Sequence, residues 1–249
     1  MIADLCDGRH VVAAAATSRA RASLLHCAAP AGSSANAEGA MDTLYYSPGA
    51  ASMAVHLALL ETGTSHALKR VDLGAGEQDT PAYRALNPNG VVPTMLIDGK
   101  PVYECAALLL LLAERHPDAR LAPAPDAPAR ALYLQWMLHF ANVVQPAFRI
   151  WFSPEKYAAE GAAHAKDLAR RQIETAWQHF DAFVAMRGPY ALGADFGVLD
   201  IYATLLMRWS RNMPRPATTW PALGALASRV KARPAWKKLY EIEGLTEWP

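Results

Sequence analysis

Four prolines in one short stretch, Pro117, Pro123, Pro125 and Pro128, divide the chain into parts that must fold differently. Proline has no amide donor and its ring crowds the preceding turn, so this stretch reads as a linker. Before it, apolar spacing mixes strand and helix periods. Beyond it, the spacing is helical throughout.

On the N-terminal side, Thr43-Leu44-Tyr45-Tyr46 is a short strand with β-favouring aromatics. Ser47-Pro48-Gly49 is a turn. Ser52 can cap a helix to about Thr62, with Met53, His56, Leu57 and Leu60 at helical spacing. His66 to Asp72 reads as a second strand. Asp79 to Leu86 forms one or two helical turns, ended by Asn87-Pro88-Asn89-Gly90. Asp98-Gly99 between two apolar runs is a strong hairpin signal. Glu104 opens a helix whose first turns are apolar all round, which predicts burial. The expected order is β-α-β-α-β-β-α.

On the C-terminal side, Leu132, Trp136, Phe140, Val143, Ala147 and Trp151 recur every three or four residues. Pro146 should kink or interrupt that helix. Ile173, Trp177, Phe180 and Val184 mark a second long helix. Val198, Ile201, Tyr202, Leu205, Leu206 and Trp209 mark a third. Two shorter helices follow, around Pro221–Lys231 and Pro234–Ile242.

Composition bounds the function. Of 249 residues, 52% are hydrophobic and 19% charged, which suits a globular chain of one large or two small domains. The expected division is a mixed domain over 41–119 and a helical one over 128–249. A net charge of +1 argues against a dedicated nucleic-acid binder. No apolar run nears the ~20 residues that span a bilayer. Cys6, Cys27 and Cys105 are too few and scattered for a disulfide framework or zinc site, so a reducing cytoplasm is the default. Residues 1–40 are Ala-rich, with little periodicity, and read as a disordered extension. A transit peptide or an upstream start site are the other readings of that segment.

The sequence holds no dinucleotide fingerprint, P-loop, nucleophile elbow or zincin motif. His139 and His164 lack partners at metal-ligand spacing, so no metal is expected. Three features remain. Tyr46-Ser47 leads through a turn to Ser52, and hydroxyls at a helix N-terminus can serve an anion. Equally, Ser52 can be a plain cap and Ser47 a plain turn residue. Val92-Pro93 starts the third strand, where a cis bond would expose the Val92 backbone. Glu104 and Cys105 open the third helix, where an acid suits the helix dipole in any case.

Together these segments resemble a glutathione transferase. Tyr45-Tyr46-Ser47-Pro48-Gly49-Ala50-Ala51-Ser52 resembles the first strand and loop of bacterial beta-class members. Asn87-Pro88-Asn89-Gly90-Val91-Val92-Pro93-Thr94 resembles the segment with the family's cis-proline. Tyr103-Glu104-Cys105 resembles the Glu-Ser pair at the third helix. Gly193 to Asp200 resembles a helix-capping motif of the C-terminal domain, and Trp220-Pro221 and Arg233-Pro234 recur as in the last helices.

The resemblance covers about 41–249. It implies a thioredoxin-like N-terminal domain (α/β), an all-helical C-terminal domain, and a homodimer. It implies glutathione as co-substrate, with no other cofactor, lying along Val92, Pro93, Glu104 and Cys105. It places a small hydrophobic electrophile against Asn142, Gln145, Phe148, Arg149 and Trp151, with Tyr157 nearby. The thiolate would be stabilised by Ser52, then Ser47, then Tyr46. Beta-class members carry Cys where this chain has Ala51, His where it has Gln145, and Ser where it has Cys105. Ala51 excludes mixed-disulfide chemistry at that position. Their Ser or Thr helix cap is Gly197 here. The family's first-helix His is His56, with a packing role expected. A conjugating enzyme leads this reading. Another glutathione-dependent enzyme (isomerase, peroxidase or dehalogenase) and a non-catalytic binding protein stay open.

Overall fold

A computed structural model describes residues 41–248. The expected extension over 1–40 lies outside the described residues, as do Cys6 and Cys27.

The first half follows the order read from the sequence. It comprises β1 (Thr43–Tyr46), α1 (Ser52–Thr62), β2 (Ala67–Arg70), α2 (Pro81–Arg84), β3 (Thr94–Ile97), β4 (Lys100–Tyr103) and α3 (Cys105–Arg115). The sheet order is β2-β1-β3-β4. β1 runs parallel to β2, with Thr43 opposite Ala67, and antiparallel to β3, with Thr43 opposite Leu96. Asp98 and Gly99 close the β3–β4 hairpin with φ of 51° and 75°, as a primed turn requires. Pro101 sits on the edge strand β4, where proline is tolerated.

Successive strand residues face opposite sides of a sheet. Leu44 and Met95 therefore join the core with α1 and α3. Tyr45 points the other way and meets Tyr83 of α2, ring centres 5.8 Å apart. The sheet is thus sandwiched, with α1 and α3 on one face and α2 on the other.

The second half is helical: α4 (Arg130–His139), a π-helical turn (Phe140–Val144), α5 (Gln145–Phe152), α6 (Ala162–Ala185), α7 (Val198–Trp209), α8 (Pro221–Lys231) and α9 (Pro234–Glu243). Pro146 cannot donate to the Asn142 carbonyl and its ring would strike it. The π turn just before it accommodates both constraints, so the helix continues but its faces rotate. α7 is buried along most of its length and packs against α1, α3, α4 and α8. One apolar core runs from Leu44 and Leu57 through Leu205 to Leu239, so both halves share it.

Gly197 immediately precedes α7, and Asp200 in its first turn closes the cap. Its carboxylate accepts from the backbone N–H of Ala191 at 2.8 Å and of Gly197 at 2.9 Å. Glycine stands where the resemblance implies Ser or Thr, and the reason is steric. A Cβ on Gly197 would lie 2.5 Å from the Leu121 carbonyl oxygen, to which Val198 donates at 2.8 Å. The linker backbone thus presses directly onto the start of α7. Gly197→Ser should therefore lower stability by about 1–3 kcal/mol instead of improving the cap, read from the denaturant midpoint.

Burial pushes the Asp200 carboxyl up to about 7, against the two N–H donors that favour its ionised form. The native state then holds a proton that the unfolded chain releases above about pH 4. The stability this group contributes is present at low pH and is lost as pH rises through 7. Denaturant unfolding across that window should show the wild type losing stability relative to Asp200→Asn. A constant difference between the two would contradict this.

Candidate active site

A cleft of about 860 Å³ lies between the two halves. One wall is the Ser47–Ala51 loop with Gly90, Val91 and Val92. The other comes from α5, α7 and the segment after α9, including Gln145, Arg149, Phe152, Arg208, Trp209 and Glu247.

The Ser47–Ala51 loop is pinned from three sides. Glu243, at the end of α9, accepts from the Gly49 N–H at 2.9 Å with one oxygen. Its other oxygen meets His56 Nδ1 of α1, also at 2.9 Å, and both side chains are fully buried. Trp209 Nε1 donates to the Gly49 carbonyl at 3.0 Å. Gly49 has φ of 68°, and a Cβ there would lie 2.9 Å from Arg208 Nη1. Glycine is needed both for the turn and for the close approach.

The opposite end of that wall is held by a buried polar network. Asn87 donates to the Val91 carbonyl at 2.8 Å and to the Thr94 hydroxyl at 3.1 Å. The Tyr83 hydroxyl donates to the same carbonyl at 2.9 Å. Asn87 Oδ1 accepts from Asn89 N–H at 3.1 Å, so this fully buried amide is satisfied. The network fixes the approach to Val92-Pro93, whose peptide bond is cis, as the resemblance implies.

The structure separates the candidate hydroxyls. Ser52 is not the cap; Ala51 holds that position and Ser52 is the first helical residue. Ser52 is fully buried, and its hydroxyl donates to the Ser47 carbonyl at 3.2 Å and accepts from the Ser47 N–H at 3.1 Å. The turn folds back on itself and uses up that hydroxyl. Ser47 lies on the cleft wall. Tyr46 packs toward His56, ring centres 5.9 Å apart, and does not line the cleft.

At α3, Glu104 is exposed, with φ of 79°, a conformation that costs a non-glycine residue energy. Its side chain does not cap the helix. The Cys105 side chain is buried and its Sγ donates to the Ala51 carbonyl at 3.4 Å. Position 105 therefore offers a ligand only its backbone N–H. Burial, then the charge of Glu104, pushes the thiol far above its ordinary range.

The electrophile residues that the resemblance implies fall on different faces of α5. Gln145 and Arg149 line the cleft, and Gln145 accepts from the buried Tyr202 hydroxyl. Phe148 is fully buried in the core, and Asn142, Trp151 and Tyr157 lie off the cleft. Phe152 and Lys156 take their place. Counting from Gln145 at spacings of four, three and four would have found Arg149, Phe152 and Lys156. Arg208, Trp209, Arg211 and the 244–247 segment carried no local signal.

Comparison with known proteins gives the same picture. Residues 50–115 match the glutathione S-transferase N-terminal domain model. Glutathione S-transferase GstA of Escherichia coli O157:H7 is 28% identical over 208 residues, covering 81% of this chain and 98% of that protein. A sphingomonad glutathione S-transferase complexed with glutathione is 32% identical, with a TM-score of 0.72, covering 82% of this chain and all of that one (100%). A Sulfitobacter glutathione transferase homologue with bound glutathione has a TM-score of 0.76 at 27% identity, covering 82% of this chain and 99% of that one. The chain belongs to the glutathione S-transferase family, a family of transferases. Its sheet-containing half is the thioredoxin-like part of that fold and the remainder is the helical part.

Two outcomes follow. Glu243→Ala leaves the His56 and Gly49 N–H groups without their acceptor and should cost about 2–4 kcal/mol in denaturant unfolding. Cys105 should resist thiol reagents in the folded protein and react only after denaturation, as read by mass mapping of the labelled site.

Proposed function

We propose that this protein joins reduced glutathione to small hydrophobic electrophiles, with the Ser47 hydroxyl stabilising the thiolate. The observation that supports this most is the pairing of an available Ser47 hydroxyl with the Val92 backbone, just before the cis bond to Pro93, on one cleft wall. The cysteinyl part would pair with the Val92 backbone, and the γ-glutamyl end would meet Glu104 and the first N–H groups of α3. Those amides have no side-chain cap and attract a carboxylate.

A free thiol has a pKa of about 8.5, so little is ionised at pH 7. A hydroxyl bond to the thiolate contributes about 1.5–3 kcal/mol. That lowers the pKa by roughly one to two units, enough to ionise most of the bound thiol. The sulfur then attacks the electrophile held against Gln145, Arg149 and Phe152. The same family likeness supports a cytoplasmic homodimer. A disulfide-exchanging role, suggested by the name of one relative, the disulfide-bond oxidoreductase YfcG of Escherichia coli, finds little support. Ala51 stands where the reactive cysteine would be, and the Cys105 thiol is buried and bonded.

Calorimetric titration with reduced glutathione tests the first half of this reading. Saturable binding is expected; none at several-fold above about 1 mM would sink it, since family sites of this kind work near physiological substrate levels. Ser47→Ala should then lower turnover at least ~10-fold and raise the bound thiol's pKa by about one to two units. Glutathione affinity should change little. An unchanged thiol pKa would remove Ser47 from the role.

A further inference from the structure

The helical wall of the cleft carries more positive charge than the protein neutralises. Arg149, Lys156, Arg208 and Arg211 line it, against one lining carboxylate, Glu247. Glu247 pairs with Arg211 at 2.8 Å. Glu243 lies behind the loop and is engaged by His56 and Gly49. Among the described residues, Arg149, Lys156 and Arg208 have no carboxylate within ion-pair distance.

Arg208 is the informative one, because only 4% of it is exposed. Its Nε donates to the Tyr240 hydroxyl at 2.9 Å, and no hydrogen-bond acceptor among the described residues takes Nη1 or Nη2. The unpaired end of its guanidinium opens to the cleft, where an anion can meet it. Here it lines a cleft beside two further cations. Phe152, half-exposed, and Trp209 stand next to them with ring centres 6.0 Å apart. That is an apolar aromatic surface adjoining a positive one.

We propose that the electrophile taken by this cleft is an activated aryl halide bearing an acidic group. Its carboxylate or sulfonate sits among Arg149, Lys156 and Arg208, and its ring lies against Phe152 and Trp209. This rests on the transferase reading and narrows it. Arg149 and Lys156 belong to the wall opposite Val92, and Arg208 stands where that wall meets the Ser47–Ala51 loop, so all three can reach a second substrate beside the thiolate. In the reaction the thiolate sulfur bonds to the ring carbon that carries the halide. The carbon–halogen bond then breaks, the halide leaves with its electron pair, and the thiol proton has gone to solvent.

A matched pair tests it: a fluoronitrobenzoate with fluorine para to the carboxylate, and its methyl ester. The same conjugates of glutathione, acid and ester, serve as binding probes that need no turnover. The acid should be preferred over the ester by roughly tenfold in conjugate affinity, and in kcat/KM once each is divided by its uncatalysed rate with glutathione, because the para ester activates the ring more than the carboxylate. That preference should shrink as salt is added. Arg149→Gln with Lys156→Gln should reduce the acid-to-ester ratio about tenfold, a ratio that a general folding defect does not move. Equal handling of acid and ester overturns the proposal while leaving the transferase reading intact. A rise in the glutathione KM that is the same with both electrophiles also overturns it, by assigning the cations to glutathione. Failure of glutathione itself to bind fails the underlying reading, and this proposal with it.

Discussion

The Glu243 carboxylate is the contact on which the geometry of the cleft depends. It sits at the end of the last helix, yet its two oxygens meet the first helix at His56 and the first loop at Gly49. Chain segments almost two hundred residues apart are thereby fixed to one another within a dry interior, where such bonds are strong and their loss is expensive. A second link works nearby. Arg233, just before α9, forms a two-pronged bond to Glu61 of α1 at 2.6 and 2.7 Å. Such fork-to-fork pairing fixes direction as well as distance. Between them, the two carboxylates set how α9 lies along α1, and α9 in turn sets where the loop can run.

That arrangement explains what could be read from the residues in order and what could not. Local patterns carried the architecture. Asp98-Gly99 specifies the hairpin through positive φ, the proline-rich linker separates the two halves, and the apolar spacing of α6 and α7 gives their faces directly. The site was only partly legible. Ser52 has the residue type of a cap, but a turn one residue tighter makes it helical and closes its hydroxyl onto Ser47. The cleft face of α5 came only from the resemblance, which does not fix the rotation of this chain's helix. Phe148, which the resemblance put against the electrophile, is core; Phe152, a turn later, is exposed. Arg208 and Glu243 were invisible for a different reason. Their roles arise from contacts across the whole chain, which no local spacing encodes.

Departures from the family pattern become intelligible once neighbours are known. Gly197 looks like a lost cap, yet the Leu121 carbonyl occupies the space a side chain would need. The linker and α7 have traded a side-chain cap for a closer backbone approach, and Asp200 still satisfies the Gly197 N–H. Cys105 looks like a weakened ligand-binding serine. Its sulfur instead bonds the Ala51 carbonyl, tying the start of α3 to the start of α1. At position 105 a polar group is turned to internal use, and at position 197 a side chain gives way to a backbone contact.

The two walls of the cleft are therefore held by different forces, and this bears on how such a site can change. The wall proposed for glutathione is built from backbone, fixed by Asn87, Tyr83 and Thr94 at one end and by Glu243 and Trp209 at the other. Substitution there removes partners from buried donors and is penalised in stability. The facing wall is presented by side chains such as Arg149, Phe152 and Lys156, which are exposed and support little of the core. Exposed positions tolerate replacement at small cost. Selection for a new second substrate can thus act on the α5 face with little loss of fold. Arg208 is the exception, since it is buried, bonded to Tyr240 and pressed against Gly49. It anchors charge where the adaptable wall meets the hydrogen-bonded loop, so variation on α5 would tune how an acidic group is received there without removing the cation that receives it.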